Sequence, residues 1–150
     1  MKFAYINGKI LNGDEDMQVR QGLVIVTDGE KITDIVKEVP KSGDVKVIDL
    51  NGRYIMPGLI NMHVHLAGNG KPQKKQRDNE KLVKTLMGTA LSRAAAYKVV
   101  SDFAKTELLS GVTTIRTVGG LGDFDTKLRD EILAGKRVGP RILAANEGIS

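Results

Sequence analysis

The sequence contains no cysteine and only two histidines among its 150 residues. The absence of cysteine excludes a disulfide framework and thiolate metal ligands, so a metal site must use histidine, carboxylate or a modified side chain. Aromatic residues make up 4% of the chain, too few for a platform on which nucleic-acid bases stack. No apolar run approaches the roughly 18 residues that span a bilayer, and no signal-peptide core precedes the first turn. We therefore expect a cytoplasmic protein with neither membrane nor nucleic acid as a partner.

The remaining composition is that of an ordinary globular protein. Hydrophobic residues make up 41% and charged residues 27% of the chain, which excludes a disordered tail. The net charge of +5 leaves open a basic binding module without enzymatic activity. The scattered distribution of the basic residues argues against that alternative.

Residues 1–56 contain short apolar segments separated by turn dipeptides. The dipeptides are Asn7-Gly8, Asp28-Gly29 and Asn51-Gly52, and such pairs are favoured in two-residue hairpins. The flanking segments predict three pairs of strands: Phe3 to Ile6 with Lys9 to Leu11, Gly22 to Thr27 with Lys31 to Val36, and Val45 to Leu50 with Arg53 to Met56. We expect a small antiparallel β unit that packs on something else, because domains of this size bury a low fraction of their surface.

From Pro57 onward, predicted strands alternate with predicted helices, which indicates a parallel sheet with right-handed crossovers. A first strand ends near His65, and two more strands cover 112–118 and 141–145. Between them, one helix is capped by Asp78 or Asn79 and runs toward Leu108 with a break near Lys98. A second helix, Phe124 to Ala134, is capped by Asp123.

The two histidines, His63 and His65, stand at the end of a predicted buried strand in which apolar and polar residues alternate. Residues i and i+2 of a strand share one face, so both imidazoles can point at a common ion. Neutral imidazole is a favoured ligand of transition metals. Two structural histidines near a strand end remain the alternative.

The segment from Met56 to His65 resembles the metal-dependent amidohydrolase superfamily. Two further segments, Leu108 to Arg116 and Gly139 to Ile142, resemble the starts of the second and third barrel strands in its prolidase-like and imidazolonepropionase-related branch. One residue departs from the pattern, because many relatives carry aspartate at the position of Thr117. The departure leaves the substrate open.

The resemblance implies an α/β fold with a TIM (β/α)8 barrel, of which about the first three strands are present. Residues 1–56 would form the amino-terminal part of a small β-sandwich, and residues 57–150 the first part of the barrel. A complete barrel needs about 250 residues.

The resemblance also implies that His63 and His65 bind a divalent metal of the zinc type, as one ion or two. The other ligands and the acid/base residue come from later strands in this superfamily, so no catalytic residue is assigned in this stretch. We expect these 150 residues to be inactive alone.

The resemblance further implies a hydrolase that cleaves a C–N amide bond in a small-molecule substrate by metal-activated water. The candidate substrates are a dipeptide, an N-acyl amino acid and a cyclic amide. A deaminase of the same superfamily is the second enzymatic alternative. A homo-oligomer is compatible with either activity.

Three other features are candidates for a role at the site. Arg116 offers a guanidinium that suits a substrate carboxylate, with a structural ion pair as the alternative. The loop Gly119-Gly120-Leu121-Gly122 is expected to be a flexible connection rather than a phosphate cradle. The basic run after the first strand could attract an anionic substrate or move as a lid, although a solvated loop is the simpler interpretation. It comprises Lys71, Lys74, Lys75 and Arg77.

Overall fold

The structure, a computed structural model, describes residues 1–41, 43–68 and 78–146. The chain divides into two compact units, Met1–Pro57 and Gly58–Ser150. This division lies one residue from the boundary expected from the sequence. Among the described residues, no helix has both the length and the apolar character needed to cross a membrane. The basic run at 71–77 lies outside the described residues.

The first unit consists of two small sheets. Their strands are β1 (Lys2–Ile6), β2 (Lys9–Leu11), β3 (Val19–Arg20), β4 (Val24–Asp28), β5 (Lys31–Val36), β6 (Val45–Asp49) and β7 (Tyr54–Ile55). One sheet has the order β5-β4-β1-β6 and the other β3-β2-β7. A small core forms around the buried side chains of Ala4, Val24 and Val26.

Only one of the three expected hairpins is present. Strands β4 and β5 pair antiparallel around Asp28-Gly29, as predicted. The other two predictions are wrong, because β1 pairs parallel with β6 and β2 pairs parallel with β7. Asn7 and Asn51 both have positive φ, and the Gly52 N–H donates to the Asn7 carbonyl at 2.8 Å. The two Asn-Gly corners therefore lie side by side and carry the chain from one sheet to the other.

The second unit is a three-stranded sheet with helices in its crossovers. Its elements are β8 (Leu59–Val64), α1 (Asn79–Met87), α2 (Ala90–Leu109), β9 (Val112–Thr117), α3 (Phe124–Leu133) and β10 (Arg141–Leu143). The sheet order is β10-β9-β8, and both pairings are parallel. The core lies between the sheet and the helices, where Ile115 and Leu128 are fully buried. The strand and helix alternation predicted from the sequence is confirmed.

Two local expectations for this unit are wrong. The helix break lies at Gly88 and Thr89 rather than near Lys98, because Thr89 forms a capping box with Ser92 and starts a new helix. Strand β8 is also not buried along its length, since Ile60 and Met62 are 63% and 50% exposed. In the described part of the chain, β8 has a neighbouring strand on one side only. Only Val64, at its carboxyl end, enters the core.

Candidate metal centre

The two histidines lie at the carboxyl end of β8. His63 is the penultimate residue of the strand, and His65 follows its last residue, Val64. The centroids of the two imidazole rings are 5.2 Å apart, and the ring planes are inclined by 70°. Both side chains are exposed. The predicted proximity of the two rings is present, at the strand end where parallel α/β folds position their reactive groups.

The ring of His65 is held by the loop that follows β9. Its Nδ1 atom lies 3.1 Å from the carbonyl oxygen of Gly119. A carbonyl oxygen can only accept a hydrogen bond, so Nδ1 carries the proton in the neutral imidazole and Nε2 keeps a free lone pair. This arrangement is typical of metal-binding histidines, in which a second hydrogen bond fixes the tautomer and the ring orientation.

The alternation expected along β8 is interrupted just before His63. Asn61 pairs with Ile115 and Val64 with Thr117, so Met62 and His63 lie opposite the single residue Arg116. Two residues opposite one form a β-bulge, and bulges commonly redirect side chains next to active sites. The Asn61 side-chain oxygen accepts the His63 N–H at 3.2 Å and closes the irregular turn. The sequence pattern gave no sign of this bulge.

Arg116 lies on β9, next to the histidine pair. At the bulge, Arg116 lies opposite Met62 and His63 on the neighbouring strand. The side chain of Arg116 is exposed. Among residues 1–41, 43–68 and 78–146, its guanidinium forms no ion pair with a carboxylate. The described residues thus supply no partner for the structural ion pair considered above.

Thr117 and the glycine loop both serve the local packing. Thr117 is fully buried, and its hydroxyl accepts the Ala145 N–H at 3.0 Å. Gly119 has φ +144°, a conformation that favours glycine. The Gly120 N–H donates to the Asn146 carbonyl at 2.7 Å. The Gly120 N–H already donates to a protein carbonyl, so it is not available to bind a phosphate.

One buried charged residue at this end of the sheet was missed from the sequence. Asp125, in the first turn of α3, is 1% exposed. Burial raises the pKa of its carboxyl, against opposing effects of the Thr117 hydroxyl, the Asn146 backbone and the charge of His65. In the described part of the chain, its Oδ2 atom is buried without a hydrogen-bond partner. No motif marks Asp125, and the exposed Asp123 two residues earlier looks equivalent in the sequence.

The donor set fits part of a zinc-type site. Two imidazoles share one end of the sheet, and the hydrogen bond to Gly119 leaves one Nε2 lone pair available for an ion. Catalytic zinc sites normally use three protein ligands and one open position. Within the residues that the structure describes, no group of three or more histidine or carboxylate side chains could hold a metal. The pair is therefore half of a site at most.

Comparison with known proteins identifies the family of this chain. The family model described as "Amidohydrolase family" matches residues 54–150, which includes the histidine pair, the glycine loop and α3. The chain belongs to the amidohydrolase family. The resemblance identified from the sequence is thereby confirmed at the level of the family.

Individual relatives of this amidohydrolase chain differ in activity. A dihydroorotase from Wolbachia sp. subsp. Drosophila simulans (strain wRi) is 35% identical over 75 residues, which are 49% of this chain and 17% of that protein. A 5-methylthioadenosine/S-adenosylhomocysteine deaminase from Bacillus thuringiensis (strain Al Hakam) is 34% identical over 69 residues, or 45% of this chain and 16% of that protein.

Among solved structures, a Xaa-Pro dipeptidase with methionine bound in its active site is similar over the whole chain. The TM-score is 0.74, the identity is 33%, and the match covers 100% of this chain and 34% of the dipeptidase. The chain thus spans about a third of that protein and less than a fifth of the two curated relatives. The names of these three proteins denote three different activities.

Proposed function

We propose that this chain is part of a metal-dependent hydrolase that cleaves a C–N amide bond in a dipeptide, an N-acyl amino acid or a cyclic amide. The observation that carries the proposal is the His63 and His65 pair at the carboxyl end of β8, with ring centroids 5.2 Å apart. Similarity to a Xaa-Pro dipeptidase and to a dihydroorotase supports the amide class. On this proposal, Met1–Pro57 contributes to a small β-sandwich and Gly58–Ser150 begins a (β/α)8 barrel.

The residues of this chain have separate tasks in the proposed reaction. A divalent ion such as Zn²⁺, when bound, polarises the amide carbonyl and lowers the pKa of water to about 7 in favourable sites. His63 and His65 hold that ion through ring nitrogens, and the Gly119 carbonyl keeps the His65 ring in one tautomer. The remaining ligands and the group that moves the proton come from residues outside these 150.

Arg116 is proposed to bind a carboxylate of the substrate. Its exposed guanidinium lies on the strand beside the histidines, and a guanidinium binds a carboxylate through two parallel hydrogen bonds. Arg116→Lys keeps the charge and loses this two-point contact. We expect a higher KM for substrates with a free carboxylate and little change for their amides.

Metal analysis of the full-length protein tests the proposal. Wild type, His63→Ala and His65→Ala are loaded with Zn²⁺, dialysed and measured by elemental analysis, with Asp123→Asn as a control at an exposed position. We expect both histidine variants to lose metal and the hydrolysis of dipeptide and N-acyl amino acid substrates, and the control to keep both. Full metal content in both histidine variants would remove these residues from the site.

A deaminase is the second candidate, and similarity to a 5-methylthioadenosine/S-adenosylhomocysteine deaminase favours it. The two reactions differ in their products. Hydrolysis of an amide releases an amine and a carboxylate, whereas deamination of a heteroaromatic ring releases free ammonia. Ammonia release from aminopurine nucleosides, together with no cleavage of amide substrates, would replace the first candidate with the second.

A further inference from the structure

Asp125 carries a buried carboxyl group that has no role in the proposed reaction. It is 1% exposed, and its Oδ2 atom has no hydrogen-bond partner among the described residues. Burying a carboxyl without full hydrogen bonding destabilises the folded state. A hydrophobic side chain of similar size would fill this space at lower cost. The position therefore calls for a reason other than packing.

The carboxyl lies directly against the glycine loop. A Cβ atom built on Gly120 would be 2.7 Å from Asp125 Oδ2 and 2.8 Å from Oδ1, so the carboxyl occupies the space that a side chain at Gly120 would need. The preceding residue, Gly119, supplies the carbonyl that holds the His65 ring. Asp125 thus packs against Gly120, and the adjacent residue, Gly119, orients His65.

The other neighbours of Asp125 tie the same loop to β9 and β10. Thr117, the last residue of β9, lies close enough for its hydroxyl to lower the pKa of Asp125. Asn146 accepts the Gly120 N–H through its carbonyl and the Thr126 N–H through its side chain, at 2.7 and 3.0 Å. The carboxyl ends of β9 and β10 therefore meet around Asp125.

We infer that Asp125 is a positioning residue of the candidate metal centre, whose carboxyl holds the Gly119-Gly120 loop so that the Gly119 carbonyl fixes the His65 ring. This inference rests on the proposed function, because it assigns His65 as a ligand.

The test measures Zn²⁺ affinity of the full-length protein by competition with a chromophoric chelator. Asp125→Asn keeps the size of the side chain and removes its charge. Asp123→Asn makes the same change two residues away, at an exposed carboxylate whose partner is Arg93 at 3.2 Å. We expect about a 10- to 100-fold weaker affinity in Asp125→Asn, the range found for groups that orient metal ligands, and no change in Asp123→Asn.

A spectroscopic readout separates positioning from loss of stability. The d–d absorption of the Co²⁺-loaded protein reports the ligand geometry, which a purely structural residue leaves unchanged. We expect an altered band in Asp125→Asn. Equal Zn²⁺ affinity and an identical Co²⁺ spectrum in Asp125→Asn and wild type would overturn the inference.

An exchange variant keeps the test decisive if Asp125→Asn folds poorly. Thr117→Asp combined with Asp125→Thr swaps two neighbouring side chains and keeps one buried carboxyl beside the loop. We expect the exchange variant to recover most of the Zn²⁺ affinity. A folded exchange variant that recovers none of the affinity counts against the inference.

The two proposals fail differently. If His63→Ala and His65→Ala keep their metal, the proposed function fails; if they lose it while Asp125→Asn keeps wild-type affinity, only this inference fails.

Discussion

Gly120→Ala is expected to destabilise the protein through one identified clash. Its new Cβ would lie 2.9 Å from Asp125 Cγ, whereas carbon atoms in contact prefer about 3.5–4.0 Å. The loop or the carboxyl must therefore move by roughly 0.6 Å or more. Asp125 is 1% exposed, so its carboxyl cannot swing into solvent, and the loop has to yield. Such overpacking costs about 1–3 kcal/mol.

Urea denaturation of the metal-free, full-length protein measures this cost without the contribution of metal binding. Gly68→Ala is the matched control, because a Cβ at Gly68 meets no atom of residues 1–41, 43–68 and 78–146 within 4 Å. We expect it to change the unfolding free energy by less than about 0.5 kcal/mol. In an Asp125→Ala background, Gly120→Ala should be nearly neutral, because the atoms that it strikes are gone. Equal costs of Gly120→Ala in both backgrounds would refute the contact between these two residues.

Two further predictions concern the packing of α3. Leu128→Ala removes a fully buried side chain and should lower the unfolding free energy by about 2–5 kcal/mol in urea denaturation; the same change at Leu91, which is 82% exposed, should cost less than about 0.5 kcal/mol. Burial and the hydrogen bond to Glu131 raise the pKa of Tyr97. The folded state thus holds this proton more tightly, so its stabilising effect is complete below the unfolded pKa of about 10 and is lost as pH rises above it. The difference in unfolding free energy between wild type and Tyr97→Phe should shrink between pH 9 and 11, and a constant difference would contradict this reasoning.

The elements of the second unit could be predicted because their signals are local. Asp78 caps α1 by accepting the Lys81 N–H at 3.0 Å, as its position before the helix suggests. Gly111 ends the long helix with a positive φ. The β-branched segment that follows forms β9. Each of these outcomes depends on residues only a few positions apart.

Strand pairing in the first unit could not be predicted in the same way. Asn7-Gly8 and Asn51-Gly52 have the residues of a tight hairpin turn, and both asparagines adopt positive φ. Gly52 has positive φ as well, so Asn51-Gly52 has the conformation that such a turn requires, whereas Gly8 does not have positive φ. What the dipeptides do not encode is the partner of each strand, which here comes from about 40 residues away, as in the pairing of Lys2 with Val45. Tertiary packing selects between a hairpin and a corner.

The same distinction between local and distant signals explains which parts of the candidate site could be predicted from the sequence. The His63 and His65 pair is a local pattern, but the carbonyl that orients His65 lies 54 residues away in the sequence, and Asp125 lies further still. No motif marks Asp125 itself, but the resemblance offered one indirect signal for a carboxyl at this place. The resemblance to the prolidase-like branch implies aspartate at the position of Thr117, and the structure has a buried carboxyl next to Thr117, contributed by Asp125 of the following helix. A missing carboxylate in one strand is thus a reason to look for a carboxylate on the element packed against it. The exchange of Thr117 and Asp125 tests that reasoning directly, because it returns the carboxyl to the strand and leaves the number of buried charges unchanged.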